Sequence, residues 1–108
     1  MSRQTKEILH DALTHLLTAQ AYADHDLEEQ LVIDAICLRL SAGIEVLEKL
    51  DSDVLSELFG DDWSLMWGMR NRIAHGYLLV DAAIIGQTLV NDVPVIISRI
   101  QKWLAAST

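Results

Sequence analysis

Residues 31–50 read Leu31-Val32-Ile33-Asp34-Ala35-Ile36-Cys37-Leu38-Arg39-Leu40-Ser41-Ala42-Gly43-Ile44-Glu45-Val46-Leu47-Glu48-Lys49-Leu50. Ile33, Ile36, Leu40, Ile44, Leu47 and Leu50 recur at intervals of three and four, the period of one helix face. The stretch therefore predicts a helix turned to a core along its whole length. Asp26 is its expected N-cap, with Glu29 three residues on as an acidic form of the capping box. Asp51-Ser52-Asp53 ends it. No segment alternates apolar and polar residues with period two, and five glycines and one proline punctuate 108 residues. The fold class that follows is all-α.

On the N-terminal side, a helix is expected from about Gln4 to Ala23, with Leu9, Ala12, Leu13, Leu16, Leu17 and Ala19 as its apolar stripe and a stop near Asp24-His25. On the C-terminal side, Val54 to Phe59 allow two turns at most before Gly60. A further helix opens at Asp61-Asp62, where carboxylates complement the positive helix end. It runs through Trp63, Met66, Trp67 and Ile73 and is expected to stop with Gly76 as its C′ residue. Asp81 caps a last stretch holding Ile84, Ile85, Leu89, Val93, Ile96, Ile97, Ile100 and Leu104. Pro94 lies inside it and predicts a kink or a restart, with Asp92 as the new cap. The sum is an antiparallel bundle of four long helices and one short one, in a single domain over residues 1–108. A chain of this length buries about two thirds of its unfolded surface, enough for one core.

Sixteen acidic residues against eight basic ones give a formal charge of −8. That excludes a polybasic arm coating nucleic acid, because phosphate binding depends on the density of Lys and Arg; a local basic site stays open. The one cysteine, Cys37, forms no intrachain disulfide. Met1 to Glu7 carries charges of both signs with no apolar run behind it, and Leu78-Leu79-Val80 and Val95-Ile96-Ile97 are far short of the roughly 20 residues of a membrane span. The expectation is a cytoplasmic protein away from the membrane.

With basic residues scarce, their placement is informative. Arg70-Asn71-Arg72-Ile73-Ala74-His75-Gly76-Tyr77 gathers two arginines, a histidine and a tyrosine in eight residues. Arg70 offers a permanent charge and a planar fork matched to phosphate oxygens. An imidazole at position 75 exchanges protons near neutral pH and can serve as acid and base. Asn71 and His75 are four apart and share a helix face, so the amide is placed to orient the ring. Arg70 and His75 are five apart, about 140° around a regular helix, and do not stack. They converge if the last turn loosens, or if a second subunit brings its copies to the same cleft, which predicts a two-fold dimer. The plainer reading is a helix end with a basic face that suits the helix dipole, with Tyr77 covering the end of the core.

Other candidates are weaker. Asp11 and His15 share a face with no third metal ligand in view, His10 stands beside them, and His25 lies between Asp24 and Asp26. Cys37 has apolar neighbours and reads as a small buried hydrophobe. Trp63 and Trp67, four apart, suit core or dimer contact better than base stacking. No Walker-type loop, Cys/His zinc spacing or serine elbow appears.

The run Arg70-X4-His75-X-Tyr77 resembles the active-site signature of HEPN-domain ribonucleases, in particular the HepT-like toxins of prokaryotic toxin–antitoxin pairs. The likeness extends to Trp63 ahead of Gly68-Met69-Arg70-Asn71, to Val80-Asp81, to Asn91-Asp92-Val93-Pro94, and upstream to Asp34-Ala35-Ile36 leading to Leu40. It covers about Asp26 to the C-terminus. One departure stands in the second helix, where Ile44-Glu45-Val46 occupies the place of a common Gly-Glu-Ala.

The resemblance implies a HEPN-like helical homodimer acting as an endoribonuclease without metal or other cofactor. A ribose 2′-hydroxyl attacks the adjacent phosphate and leaves a 2′,3′-cyclic phosphate. His75 is then the acid/base, Arg70 stabilises the crowded phosphate, Asn71 positions both, and Arg72 adds charge for the RNA substrate. The implied partner is a small nucleotidyltransferase (MNT) antitoxin that attaches AMP to Tyr77, placing bulk and negative charge two residues from His75, where it repels RNA phosphate. A net charge of −8 disfavours long-range RNA capture, whereas Arg70 and Arg72 doubled in a dimer concentrate four cations in one cleft. The alternative from another class is a non-cleaving helical module that docks a nucleotidyltransferase or binds nucleotide. A purely structural dimerisation bundle leaves the Arg-His-Tyr cluster unexplained.

Overall fold

In the computed structural model, which describes residues 1–76 and 80–106, six α-helices and one π turn follow in order: α1 Arg3–Tyr22, α2 Gln30–Leu47, α3 Ser52–Phe59, α4 Asp62–Gly76, α5 Ala82–Gln87, the π turn Thr88–Asp92, and α6 Val93–Ala106. Among the described residues there is no strand. The all-helical class read from the periodicity holds.

Helices α1 and α2 form an antiparallel hairpin that supplies most of the core. Ile8, Leu9, Ala12, Leu13, Leu16 and Ala19 of α1 meet Ile33, Ile36, Cys37, Leu40, Ile44 and Leu47 of α2 in one buried cluster. The approach is closest at Gly43, where a Cβ would lie 3.2 Å from Leu16 side-chain atoms and 3.3 Å from the His15 Cβ. Helix α4 runs back along α2 and contributes Met66 and Ile73 to the core, and α6 closes it with Val93, Ile97 and Ile100. Leu17 and Ile84, expected in the core, are exposed.

Three boundaries differ from the sequence reading. Helix α2 begins at Gln30 rather than just after Asp26. The Asp26 carboxylate accepts the Glu28 N–H at 2.9 Å and the Glu29 N–H reaches the Asp26 carbonyl at 3.1 Å, so Asp26 closes a turn of its own. This is the competition that short acidic side chains offer to a helix start. Gly76 is the last residue of α4 itself, and Gly60, not Gly76, is the one glycine with positive φ among the described residues.

The third difference concerns Pro94. Asp92 does not restart a helix as its cap. The backbone continues from Ala82 to Ala106 through the π turn, where the Val93 N–H donates to the Thr88 carbonyl five residues back. Widening the helix by one residue just ahead of the proline relieves the clash of its ring with the preceding turn. Asp81 does cap α5 as expected, accepting the Ala83 N–H at 2.8 Å.

The run Ala82–Ala106 has the length and apolarity to cross a membrane. Of the short apolar runs considered in the sequence, Val95-Ile96-Ile97 lies within this helix. Ile85, Leu89, Val93, Ile97 and Ile100 form its inward stripe and pack in the shared core, as the core helix of a bundle does.

Candidate active site

The Arg-His segment occupies the last two turns of α4. Its position is set by three packing contacts below it. Met66 and Ile73 are buried, which fixes the helix rotation. An aromatic ladder leads up to the site: the Phe59 and Trp63 rings stack at 6.1 Å between centroids, and those of Trp63 and Trp67 lie tilted at 5.9 Å. The guanidinium of Arg70 then sits 5.0 Å from the centroid of Trp67, a cation–π contact that continues the series.

Arg70 is held from three sides. Besides the Trp67 ring, its Nη1 donates to Asn71 Oδ1 at 3.1 Å, and its Nη2 lies 3.4 Å from Glu45 Oε1 of α2. Its side chain is only 20% exposed, while that of Glu45 is 57% exposed. The Nε of Arg70 is buried and has no hydrogen-bond partner. A buried donor without an acceptor costs about 1–3 kcal/mol, so this pose carries an internal penalty.

The other candidate residues sit as follows. His75 and Arg72 are exposed on α4, and Asn71 is half-buried. The Asn71 amide oxygen faces Arg70, not His75 as expected, because the neighbouring guanidinium is a permanently charged donor. Helix geometry keeps Arg70 and His75 about 140° apart, and no hydrogen bond joins them in the single chain. Tyr77 lies outside the described residues.

A shallow cleft between α2 and α4, lined by Asp34, Cys37, Leu38, Ser41, Ile73 and Ala74, adjoins the His75 turn. Burial, and then the Asp34 carboxylate, push the Cys37 thiol above its ordinary pKa, which keeps it protonated and unreactive. A second groove of ≈ 210 Å³ runs between α4 and α6, bordered by Met66, Met69, Val93 and Ile96. Arg99 Nη1 donates to Asp62 Oδ2 at 3.0 Å across it. His15 faces Arg39, with Nη1 to Nδ1 at 3.2 Å, and among the described residues no three His, Cys, Asp or Glu side chains gather as a metal-binding group.

Glu45 and Trp67 are the partners of Arg70 that sequence reading left out of the site. The spacing Phe59, Trp63, Trp67 leading to Arg70 was a usable signal for the ring. Glu45 lies 25 residues upstream and meets Arg70 through the packing of α2 on α4; the one sequence signal at it is the middle place of Ile44-Glu45-Val46, where the resembled pattern commonly reads Gly-Glu-Ala.

The family model described as HepT-like, ribonuclease HepT-like, matches residues 6–103. No curated protein and no solved structure matches the chain.

Proposed function

Because the chain belongs to the HepT-like ribonuclease family, we propose that it is an endoribonuclease toxin of a toxin–antitoxin pair, cutting RNA without a metal ion in the cytoplasm. The observation that carries this reading is Arg70, a cation held in defined geometry in a chain of net charge −8, five residues before an exposed histidine on the same helix. A ribose 2′-hydroxyl gives its proton to one imidazole nitrogen and attacks phosphorus. The 5′-oxygen leaves with a proton from an imidazolium, and the product ends in a 2′,3′-cyclic phosphate. Arg70 stabilises charge on the phosphate oxygens as the fifth bond forms, and Asn71 holds the guanidinium for that task.

The active form is a homodimer. A single helix points Arg70 and His75 in different directions, and a twofold cleft lets one chain supply the guanidinium and the other the imidazole. Supporting this, α2 exposes Leu31 (76%) and Leu38 (68%) on one face, and Leu38 lines the cleft beside Ala74. Exposed leucines next to a catalytic turn are the kind of patch that a second copy covers. The antitoxin is an MNT-type nucleotidyltransferase that attaches AMP to Tyr77, and the added negative charge repels RNA phosphate.

The test is incubation of RNA with the purified chain in excess EDTA, beside His75→Ala, after mass spectrometry has shown Tyr77 unmodified. Cleavage by the wild type and none by the variant is expected. RNA left intact by both favours the non-cleaving binding module.

A further inference from the structure

The contact between Arg70 and Glu45 is not built like a structural ion pair. A buried guanidinium that braces two helices repays its desolvation only when the ion-pair geometry is good and its remaining donors are satisfied. Here the carboxylate is more than half exposed, the approach is 3.4 Å, and the buried Nε of Arg70 has no acceptor. The guanidinium is held without Glu45 as well, since the Trp67 ring lies under it and the Asn71 amide takes Nη1. What Glu45 contributes is an oxyanion at Nη2, a guanidinium nitrogen that neither of these occupies. A carboxylate and a phosphate present oxygens of the same charge to that fork and compete for it.

We infer that Glu45 is a resting counter-ion of Arg70, standing where a substrate phosphate docks, and that the incoming strand displaces it. Glu45 sets the affinity for the strand and acts through Arg70. Its exposure makes displacement cheap, and a guanidinium drawn outward toward a phosphate frees the Nε that the resting pose leaves unpaired. The inference rests on the ribonuclease reading for the identity of the strand, and it is testable without cleavage.

Glu45→Gln keeps the size and one acceptor oxygen while removing the charge. The probe is a fluorescent single-stranded DNA oligonucleotide, which has no 2′-hydroxyl and so cannot be cut by internal attack, with binding read by anisotropy. Removing a competing exposed ion pair predicts binding about threefold tighter than wild type. The gain disappears when Glu45→Gln is made on Arg70→Ala, which separates it from the general effect of one fewer negative charge. With RNA, the same gain appears as a lower KM. DNA bound no more tightly by Glu45→Gln, a gain that persists without Arg70, or a fall in kcat at unchanged KM would each overturn the inference. A wild-type chain that cuts no RNA removes the ribonuclease reading and leaves the anisotropy to decide the role of Glu45.

Discussion

Arg70→Lys separates charge from shape at this site. Lysine keeps the cation but loses the planar fork that meets Asn71, Glu45 and the Trp67 ring. The account predicts a drop in kcat of about tenfold or more for Arg70→Lys, and of about a hundredfold to a thousandfold for Arg70→Ala, measured on one RNA at fixed pH. An Arg70→Lys enzyme as active as wild type would show that charge alone suffices. A second prediction concerns Cys37, buried and with its thiol pKa raised. Iodoacetamide at mildly alkaline pH should label it slowly in the folded protein and quickly in denaturant, because the thiolate is the reacting form. Rapid labelling of the folded chain would place the thiol at the surface. At this scale Arg70 and His75 were legible because cations are rare in the chain and cluster once. Glu45 was not, since a partner supplied by another helix depends on how α2 and α4 pack, and no local pattern encodes that.

Helices were the most legible part of the sequence, and their ends the least. The stripe Ile33, Ile36, Leu40, Ile44, Leu47 named the buried face of α2 correctly, because burial demands that period wherever the element starts. Asp26 misplaced the start, since the same carboxylate that caps a helix can close a turn. Pro94 announced an irregularity, yet its form was a π turn, with buried Leu89 inside it and buried Val93 just after it. Two glycines give a contrasting pair of tests. At Gly43 a Cβ already meets the fully buried Leu16 at 3.2 Å, so Gly43→Leu is expected to cost about 2 kcal/mol in chemical denaturation. At Gly68, in the interior of α4, a Cβ meets nothing within 4 Å, so Gly68→Ala is expected to stabilise the fold by about 0.5–1 kcal/mol through helix propensity. Equal effects at both positions would contradict the packing described here.

For the whole molecule, the acidic surface and the single basic cluster together favour a protein that engages one exposed strand locally. The proposed second chain gives this scale its own test. Arg70→Ala and His75→Ala, each inactive alone, are expected to regain about a quarter of wild-type activity when unfolded together and refolded as a mixture. Half of the dimers are then mixed, and each mixed dimer keeps one intact guanidinium–imidazole pair. No recovery would mean that one chain supplies both groups. Both residues were legible in the sequence as neighbours on one helix at an interval of five; the face proposed for the dimer was not, because an exposed leucine such as Leu31 or Leu38 reads like any other apolar residue of α2 until its exposure is seen. The most direct measurement is the chemistry of the cut end. RNA treated with the chain in excess EDTA should carry a 2′,3′-cyclic phosphate upstream of the break and a 5′-hydroxyl downstream, and neither end should form with His75→Ala. A 5′-phosphate at the break, or the same cyclic product from His75→Ala, would contradict the account.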